Sequence, residues 1–468
     1  MFNKLKECKT IAEIYGVLGE KWFSDVAGYV LFVWALIPVI AGVIDMIIHF
    51  VYKEFSGFTL SLYASYYTWL VTIAGAVSIV FWLSSTMGKL RFQRRTLYQS
   101  FDIKYRNEIW IFLLLLMWGW SFLSSLLAPA WGISFAGSEF RFDGFFTYCF
   151  YAGAFGCAYY VTSKSLVNRF YFVFAIVGDI LAFVALFGEK HIPVFEQIQV
   201  AIYTSVFMNE NHYGYFLTMV IMVILGLYYK SLNEESYKEK KSKQNTVFYI
   251  VSFAVQIYTL MKNDTMGAYV AIVISMIILL VCVRKRINKT RLLHIIPLII
   301  LIVFTVLSSV GVITSVLGET IGQSLVVLWQ DVFKVAKKSD DMDQAGTNRI
   351  FLWKQAIEMI KRKPLFGWGP EGLQGEYKAI TGVDRPHNEY LQHAAFLGIP
   401  ALLMYLSALF SLCFDRIRKI HSVPYEQLIA GGVTIAYLIS AFFGNTLFYT
   451  TPYFFIFLGI TAASLDKE

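Results

Sequence analysis

Charge is scarce in this chain. Only 15% of its residues are Asp, Glu, Lys or Arg, where a soluble globular protein carries about a quarter, so an all-round aqueous surface is excluded. Cysteine is scarce too. Five in 468 residues give neither a disulfide framework nor metal-ligand spacing. Cys149 and Cys157 share one apolar run and read as small buried hydrophobes, whereas Cys8, Cys282 and Cys413 stand in or beside basic segments. The net charge of +8 is not a nucleic-acid footprint, because the positive residues are scattered through short connections. Membrane topology and anionic lipid headgroups account for them better.

What is abundant is apolar. Hydrophobic residues make up 57% of the chain and aromatics 17%, and runs of about twenty apolar residues recur from end to end, as repeated membrane spans require. The first begins near Val26 behind a basic leader (Lys4, Lys6, Lys9, Lys21). It is too long for a signal-peptide core and is expected to stay as a span. The pattern predicts an all-α integral membrane protein of about 12 transmembrane helices, at 26–52, 63–88, 108–129, 143–162, 168–188, 211–229, 246–262, 266–283, 294–312, 391–413, 427–445 and 451–465.

The connections choose the sides. Segments 89–107, 230–245, 284–291 and 415–419 are rich in Lys and Arg, and the alternate connections, such as 263–265 and 445–450, are poor in them. The positive-inside rule then puts both termini in the cytoplasm. One large extracytoplasmic loop, 313–390, separates an N-terminal bundle (1–312, about nine spans) from a C-terminal one (391–468, about three). A connection that long is functional or a small domain. It carries two helix-like stretches, 318–338 and 347–363. Thr347 or Asn348 is expected to cap the second and Pro364 to stop it, and Ile350, Trp353, Ile357 and Ile360 recur along it at helical spacing.

Four polar clusters from separate parts of the chain fall on the outer side in this topology. The loop contributes Arg349, Arg385, His387, Asn388 and Glu389. Segment 140–144 contributes Arg141 and Asp143, 208–214 contributes Asn211 and His212, and 261–267 contributes Lys262. Ionisable groups at membrane depth are costly and usually line a cavity or pathway. Arginine forks suit phosphate or pyrophosphate, and a histidine near neutrality can take a proton from an attacking hydroxyl. Trp131, Trp353, Trp368, Tyr377 and Tyr390 lie near the same face and suit stacking on sugar rings. The acidic run Asp340, Asp341 and Asp343 reads as loop solubility, and His393 as a packed bundle residue. Asp45 and Asp179, isolated in apolar stretches, are what ion coupling in a transporter would use. A transporter or flippase of lipid-linked glycans is therefore the alternative class. The repeated halves that such folds show are not visible in this sequence.

Two blocks carry a resemblance. NRIFLWKQAIEMIKRKPLFGWGPEGL (348–373) followed by HNEYLQHAAFLGIPALL (387–403) resembles the O-antigen ligase and Wzy-type polymerase superfamily of bacterial membrane glycopolymer enzymes. The matching positions are Arg349, Trp353, Pro364, Gly367, Gly369, His387, Asn388 and Leu397 to Ile399. FMNENHYGYFL (207–217) is similar to the family's Asn-x-Asn segment, and the likeness spans roughly the C-terminal 260 residues. It implies a GT-C-like membrane glycosyltransferase in the bacterial cytoplasmic membrane, with its active site on the extracytoplasmic face. The expected donor is a polyprenyl diphosphate-linked oligosaccharide, and the acceptor a glycan, lipid or protein. O-antigen, capsule, exopolysaccharide or wall-glycopolymer assembly is the setting. His387 would be catalytic and Arg349, Arg141 and Lys262 would meet the diphosphate, while Asn388, Glu389, Asn211, His212 and Trp353 would contact substrate. No cofactor or metal is expected, because arginines can neutralise the leaving group. One position departs from the pattern: Met266 stands where the family's Ser-Arg-Gly-like motif has arginine, leaving Lys262, four residues earlier, as the nearest cation.

Overall fold

The computed structural model describes residues 2–51, 60–94, 109–138, 141–191, 205–207, 209–232, 240–283, 291–315, 318–339 and 342–465. Most of the basic connections used to assign sides (95–107, 233–239 and 284–290), together with Asp340 and Asp341 and the side chain of Asp45, lie outside the described residues. Within them every long element is a helix. The N-terminal part comprises α1 (Phe2–Glu7), α2 (Ile11–Val51), α3 (Leu60–Phe92), α4 (Ile109–Leu126) and α5 (Trp131–Ala136). It continues through α6 (Phe145–Tyr160), α7 (Lys164–His191), α8 (Glu210–Ser231), α9 (Lys240–Asn263), α10 (Met266–Val283), α11 (Arg291–His294) and α12 (Ile296–Ser309). The long connection folds as α13 (Ile321–Lys337), α14 (Arg349–Arg362) and α15 (Gln374–Thr381). The chain closes with α16 (Glu389–Leu397), α17 (Ile399–Arg418), α18 (Tyr425–Ala441) and α19 (Thr451–Ala462).

Among the described residues, eight helices are long and apolar enough to cross a membrane: 11–44, 66–92, 109–126, 164–187, 210–231, 266–283, 292–309 and 399–418. The chain is a multi-pass membrane protein. The other four of the twelve predicted spans are helices as well, but α6 has 16 residues, α18 has 17 and α19 has 12, and the 24-residue α9 opens on lysines. The tenth predicted span, 391–413, is not continuous. It breaks at Gly398 (φ 87°) into α16 and α17. Nor does Asn348 cap α14: it takes a left-handed conformation (φ 65°) with no side-chain cap bond. Thr320 does cap α13, in a box with Gln323.

The break at Gly398 frees backbone carbonyls inside the bundle, and each must find a donor there. Trp368 N–H donates to the Ala395 carbonyl at 2.9 Å and Gly369 N–H to Phe396 at 2.8 Å. Ser124 Oγ also reaches Phe396 (2.9 Å), and Trp120 Nε1 reaches Leu397 (3.0 Å). The Pro-x-x-Gly-x-Gly stretch is thus a plug docked on a helix end. Its glycines are required there: Gly367 and Gly369 have φ of 66° and 83°, and a Cβ on Gly367 would lie 2.4 Å from the Phe396 carbonyl oxygen.

The core centres on α8, apolar on every face and buried along nearly its whole length. Elsewhere in the bundle α6 sits so close to α3 and α19 that only glycine fits. A Cβ on Gly153 would fall 2.5 Å from Ile79 N of α3, and one on Gly459 of α19 would fall 2.5 Å from the Phe155 carbonyl oxygen. Replacing Gly459 by Leu is therefore expected to destabilise the protein by about 3 kcal/mol, as overpacking a tight core does. Thermal unfolding in detergent would show it as a lowered midpoint, with Gly119→Ala, in open space, as the tolerated control.

Candidate active site

The polar clusters meet at one end of the bundle, where α6 and α8 begin, α9 turns into α10, and 445–450 links α18 to α19. Basic side chains mark the opposite ends. Lys230, at the far end of α8, bonds Glu426 at the start of α18 and Asn168 (2.6 Å) near the start of α7. Arg416, Arg418 and Lys419 lie where α17 ends.

Arg385 sits beneath this polar surface. Its side chain is fully buried, 0% exposed, between two carboxylates that are equally sealed. Nη2 donates to Glu371 Oε1 at 2.5 Å. Nη1 donates to Asp143 Oδ2 at 3.1 Å and to the Thr446 carbonyl at 2.5 Å. Asp143 also accepts from Tyr151 Oη (2.7 Å) and from the Thr446 hydroxyl, and Glu371 accepts from the backbone N–H of Asp143 (3.1 Å) and of Ser138. Burial alone would discourage the Arg385 charge, but Asp143, Glu371 and Asp384 outweigh it and hold it on more firmly than usual. Burial likewise pushes the Glu371 carboxyl up against the pull of Arg385. Arg141 does not pair with its near neighbour Asp143. It grips Asp384 through both oxygens, Nε to Oδ2 at 2.6 Å and Nη2 to Oδ1 at 2.9 Å. Burial raises the Asp384 carboxyl, and Arg141 and then Arg385 override this and bring it below the usual range.

His387 follows in the same turn, after Pro386, in the left-handed region (φ 51°) that an L-residue rarely adopts. Asn445 holds it there. Its Oδ1 accepts the His387 backbone N–H at 2.9 Å, which turns its Nδ2 toward His387 Nδ1 at 3.4 Å. An amide N–H facing Nδ1 makes that nitrogen the acceptor, so the neutral ring carries its proton on Nε2. Burial first, then Arg349, Arg141 and Arg385, push the imidazole down to about 4, with Asp384 opposing them. The expected proton acceptor is thus a neutral ring that presents an N–H.

The structure gathers the other predicted residues unevenly. Arg349 opens α14 with its guanidinium 5.8 Å from the Phe443 ring centre, and it is the cation His387 feels most. Trp353, one turn on, packs edge-on against Phe442 at 5.2 Å, with Nε1 lacking a hydrogen-bond partner among the described residues. His212 stacks near Tyr449 (5.3 Å) in the first turn of α8, where the Asn209 side chain caps the backbone of Asn211 and His212. Asn388 is taken up in capping α16, by accepting from Leu391 N–H at 3.0 Å. Glu389 turns inward, 1% exposed, and accepts from Tyr437 Oη at 2.9 Å. Both therefore serve the scaffold. Lys262 ends α9 and is not among the charges acting most on His387, and Met266 packs against the apolar core. Trp368, Tyr377 and Tyr390 are tied by their polar atoms to backbone carbonyls, which leaves Trp131 exposed and Trp353 at the site. Outside it, Asp343 pairs with Lys354 (2.5 Å), His393 packs on Tyr405, and Asp179 bonds Ser252 (2.6 Å) and Gln256 (2.8 Å). Sequence reasoning passed over Asp384, Asn445 and Thr446. The signal for the last two was a polar pair between apolar runs, in a segment valued only for lacking Lys and Arg.

Two outcomes follow from this arrangement. Arg385→Met strands two buried carboxylates and is expected to cost about 3–5 kcal/mol, read as a collapse of thermal stability, whereas Arg141→Met, at a partly exposed pair, costs far less. Arg349→Gln removes the cation that most disfavours the charged imidazole, so His387 titration, followed by NMR of nitrogen-labelled histidine, moves upward from about 4 toward 6.5.

Residues 251–406 match the family model described as O-Antigen ligase. The matched span holds Lys262, Arg349, Trp353, His387, Asn388 and Glu389 and leaves Arg141, Asn211 and His212 outside it. No curated protein matches the chain. Through residues 251–406 the chain is thus similar to the O-antigen ligases, and that match supports its likeness to the O-antigen ligase and Wzy-type superfamily.

Proposed function

We propose that this protein is a glycosyltransferase that moves or polymerises glycan from a polyprenyl diphosphate donor on the outer face of the bacterial cytoplasmic membrane. The observation that carries the reading is the convergence of Arg349, Arg141 and His387 at one end of a membrane bundle, with the first and last inside the O-antigen ligase match. Arginine clamps preorganised at the mouth of an apolar bundle favour a substrate with an anionic head and a lipid tail.

In this reading the lipid lies against the helices and its diphosphate reaches Arg349 and Arg141. The acceptor oxygen attacks the anomeric carbon from the face opposite the diphosphate. The carbon–oxygen bond to phosphate breaks, its electron pair leaves with the polyprenyl diphosphate, and the hydroxyl proton passes to solvent. Attack from the opposite face inverts the anomeric centre. The arginines neutralise the charge that develops on the leaving group. His387, neutral and bonded through Nδ1 to Asn445, offers Nε2–H to an oxygen at the reacting centre. That makes it an orienting and charge-stabilising donor in place of a general base. Trp353 and His212 present ring faces to sugar. Both termini lie in the cytoplasm, a placement supported by the basic ends opposite the site.

The test is polyprenyl diphosphate release by purified protein in nanodiscs, with a polyprenyl diphosphate oligosaccharide and a panel of acceptors, with and without EDTA. Release is expected to survive EDTA and to fall about a hundredfold or more in His387→Ala, the loss typical of a removed stabilising donor. His387→Gln, which keeps an N–H at a similar reach, should retain at least about a tenth of the activity. Equal loss in both variants would make His387 a base. Donor movement across a liposome bilayer without release would replace the whole reading by transport. Longer glycans made from donor alone mark a polymerase.

A further inference from the structure

Resting on the diphosphate reading above, we infer that Asp384 is a movable counter-ion that holds Arg141 in the resting state and swings to Arg385 when a diphosphate arrives. Three observations converge on it.

First, the Asp384 carboxylate lies across Arg141 in the two-point grip that a phosphate takes, at 2.6 and 2.9 Å. The pair is partly open, with side chains 26% and 21% exposed, whereas the Arg385 pairs with Asp143 and Glu371 beside it are closed at 0%. Of the two ion clusters, only the Arg141 pair can exchange its anion without opening the core.

Second, a landing place exists. Arg385 Nε is buried and has no hydrogen-bond partner among the described residues, although Nη1 and Nη2 of the same guanidinium both have partners. A buried donor left unmade is costly and calls for an explanation. It faces Asp384 Oδ2 at 4.0 Å, so a small side-chain rotation replaces the Arg141 contact by an Arg385 contact.

Third, the charges favour the exchange. Three carboxylates (Asp143, Glu371, Asp384) share two guanidiniums (Arg141, Arg385) at rest, and Arg349 lies on the Phe443 ring with no carboxylate partner among the described residues. An arriving diphosphate takes Arg349 and competes with Asp384 for Arg141. The displaced carboxylate keeps a cation by moving to Nε. When the product diphosphate departs, Asp384 returns and helps to expel it. Asp384 is three residues from His387, so the exchange also moves a charge that His387 feels. It is a positioning residue, acting through Arg141.

The experiment uses the full chain in nanodiscs and titrates inorganic pyrophosphate, with EDTA present, by calorimetry. Asp384→Asn and, as a second variant, Asp384→Ser are expected to bind pyrophosphate at least about tenfold more tightly than the parent, because the competing anion is gone. The gain should vanish when Arg141→Ala is added, which a merely structural role would not predict. In turnover the same variants should lower KM for the donor and lower kcat, as product leaves more slowly. Unchanged or weaker pyrophosphate binding in both variants, with thermal unfolding as in the parent, overturns the exchange. If Arg349→Gln and His387→Ala still abolish polyprenyl diphosphate release in that case, the glycosyltransferase reading stands without it. If no chain releases polyprenyl diphosphate and Arg349→Gln leaves pyrophosphate binding unchanged, both fall.

Discussion

A guanidinium with no access to water is the constraint on which this architecture depends. Taking Arg385 and two carboxylates out of water costs several kcal/mol per ion, recovered only where geometry is good and every remaining polar group is met. Here the partners come from four separate stretches of chain, at 143, 371, 385 and 446. The start of α6, the plug after α14, the turn before α16 and the link between α18 and α19 are therefore one electrostatic unit. Move any one and an ion is left unpaired at membrane depth. That is why a turn holding a histidine in the left-handed region persists: Arg385 anchors one side of Pro386, and Asn445 holds the other.

This unit lies beneath a second, looser layer made of Arg141, Asp384, Arg349 and His387. The contrast between them is one of exposure, not of residue type. Both layers contain arginine on carboxylate, yet one is sealed and the other half-open. The sealed pair sets positions, and the open pair is free to trade partners. A site for a diphosphate needs both, since an arginine that never releases its carboxylate binds no phosphate, and one without a scaffold has no fixed place.

Much of this was legible in the sequence. Spans and their order follow from apolar runs. The Arg-x-x-x-Trp helix, the glycine plug and the His-Asn start appear in the order that brings them to one end. What could not be read was pairing. Arg141 stands two residues from Asp143, and local spacing suggests that pair, but their true partners are more than 240 residues away, Asp384 for one and Arg385 for the other. Residues beside His387 invite a substrate role, and Asn388 and Glu389 were given one, though the first caps a helix and the second is bonded inward. The helix break was equally hidden. Residues 391–413 are apolar on both sides of Gly398, and hydropathy does not register a single glycine whose carbonyl neighbours are met by a distant plug.

That plug has a consequence for how the family of such chains can vary. Segment 364–399 is closed on itself by main-chain bonds and tied to α4 through Trp120 and Ser124, whereas the side chains of α13 are largely exposed. The long connection thus has a conservative half and a permissive half. Drift in length or composition around α13 leaves the glycine plug and the buried Arg385 cluster untouched. That half can be remodelled while the sealed ion cluster keeps its partners.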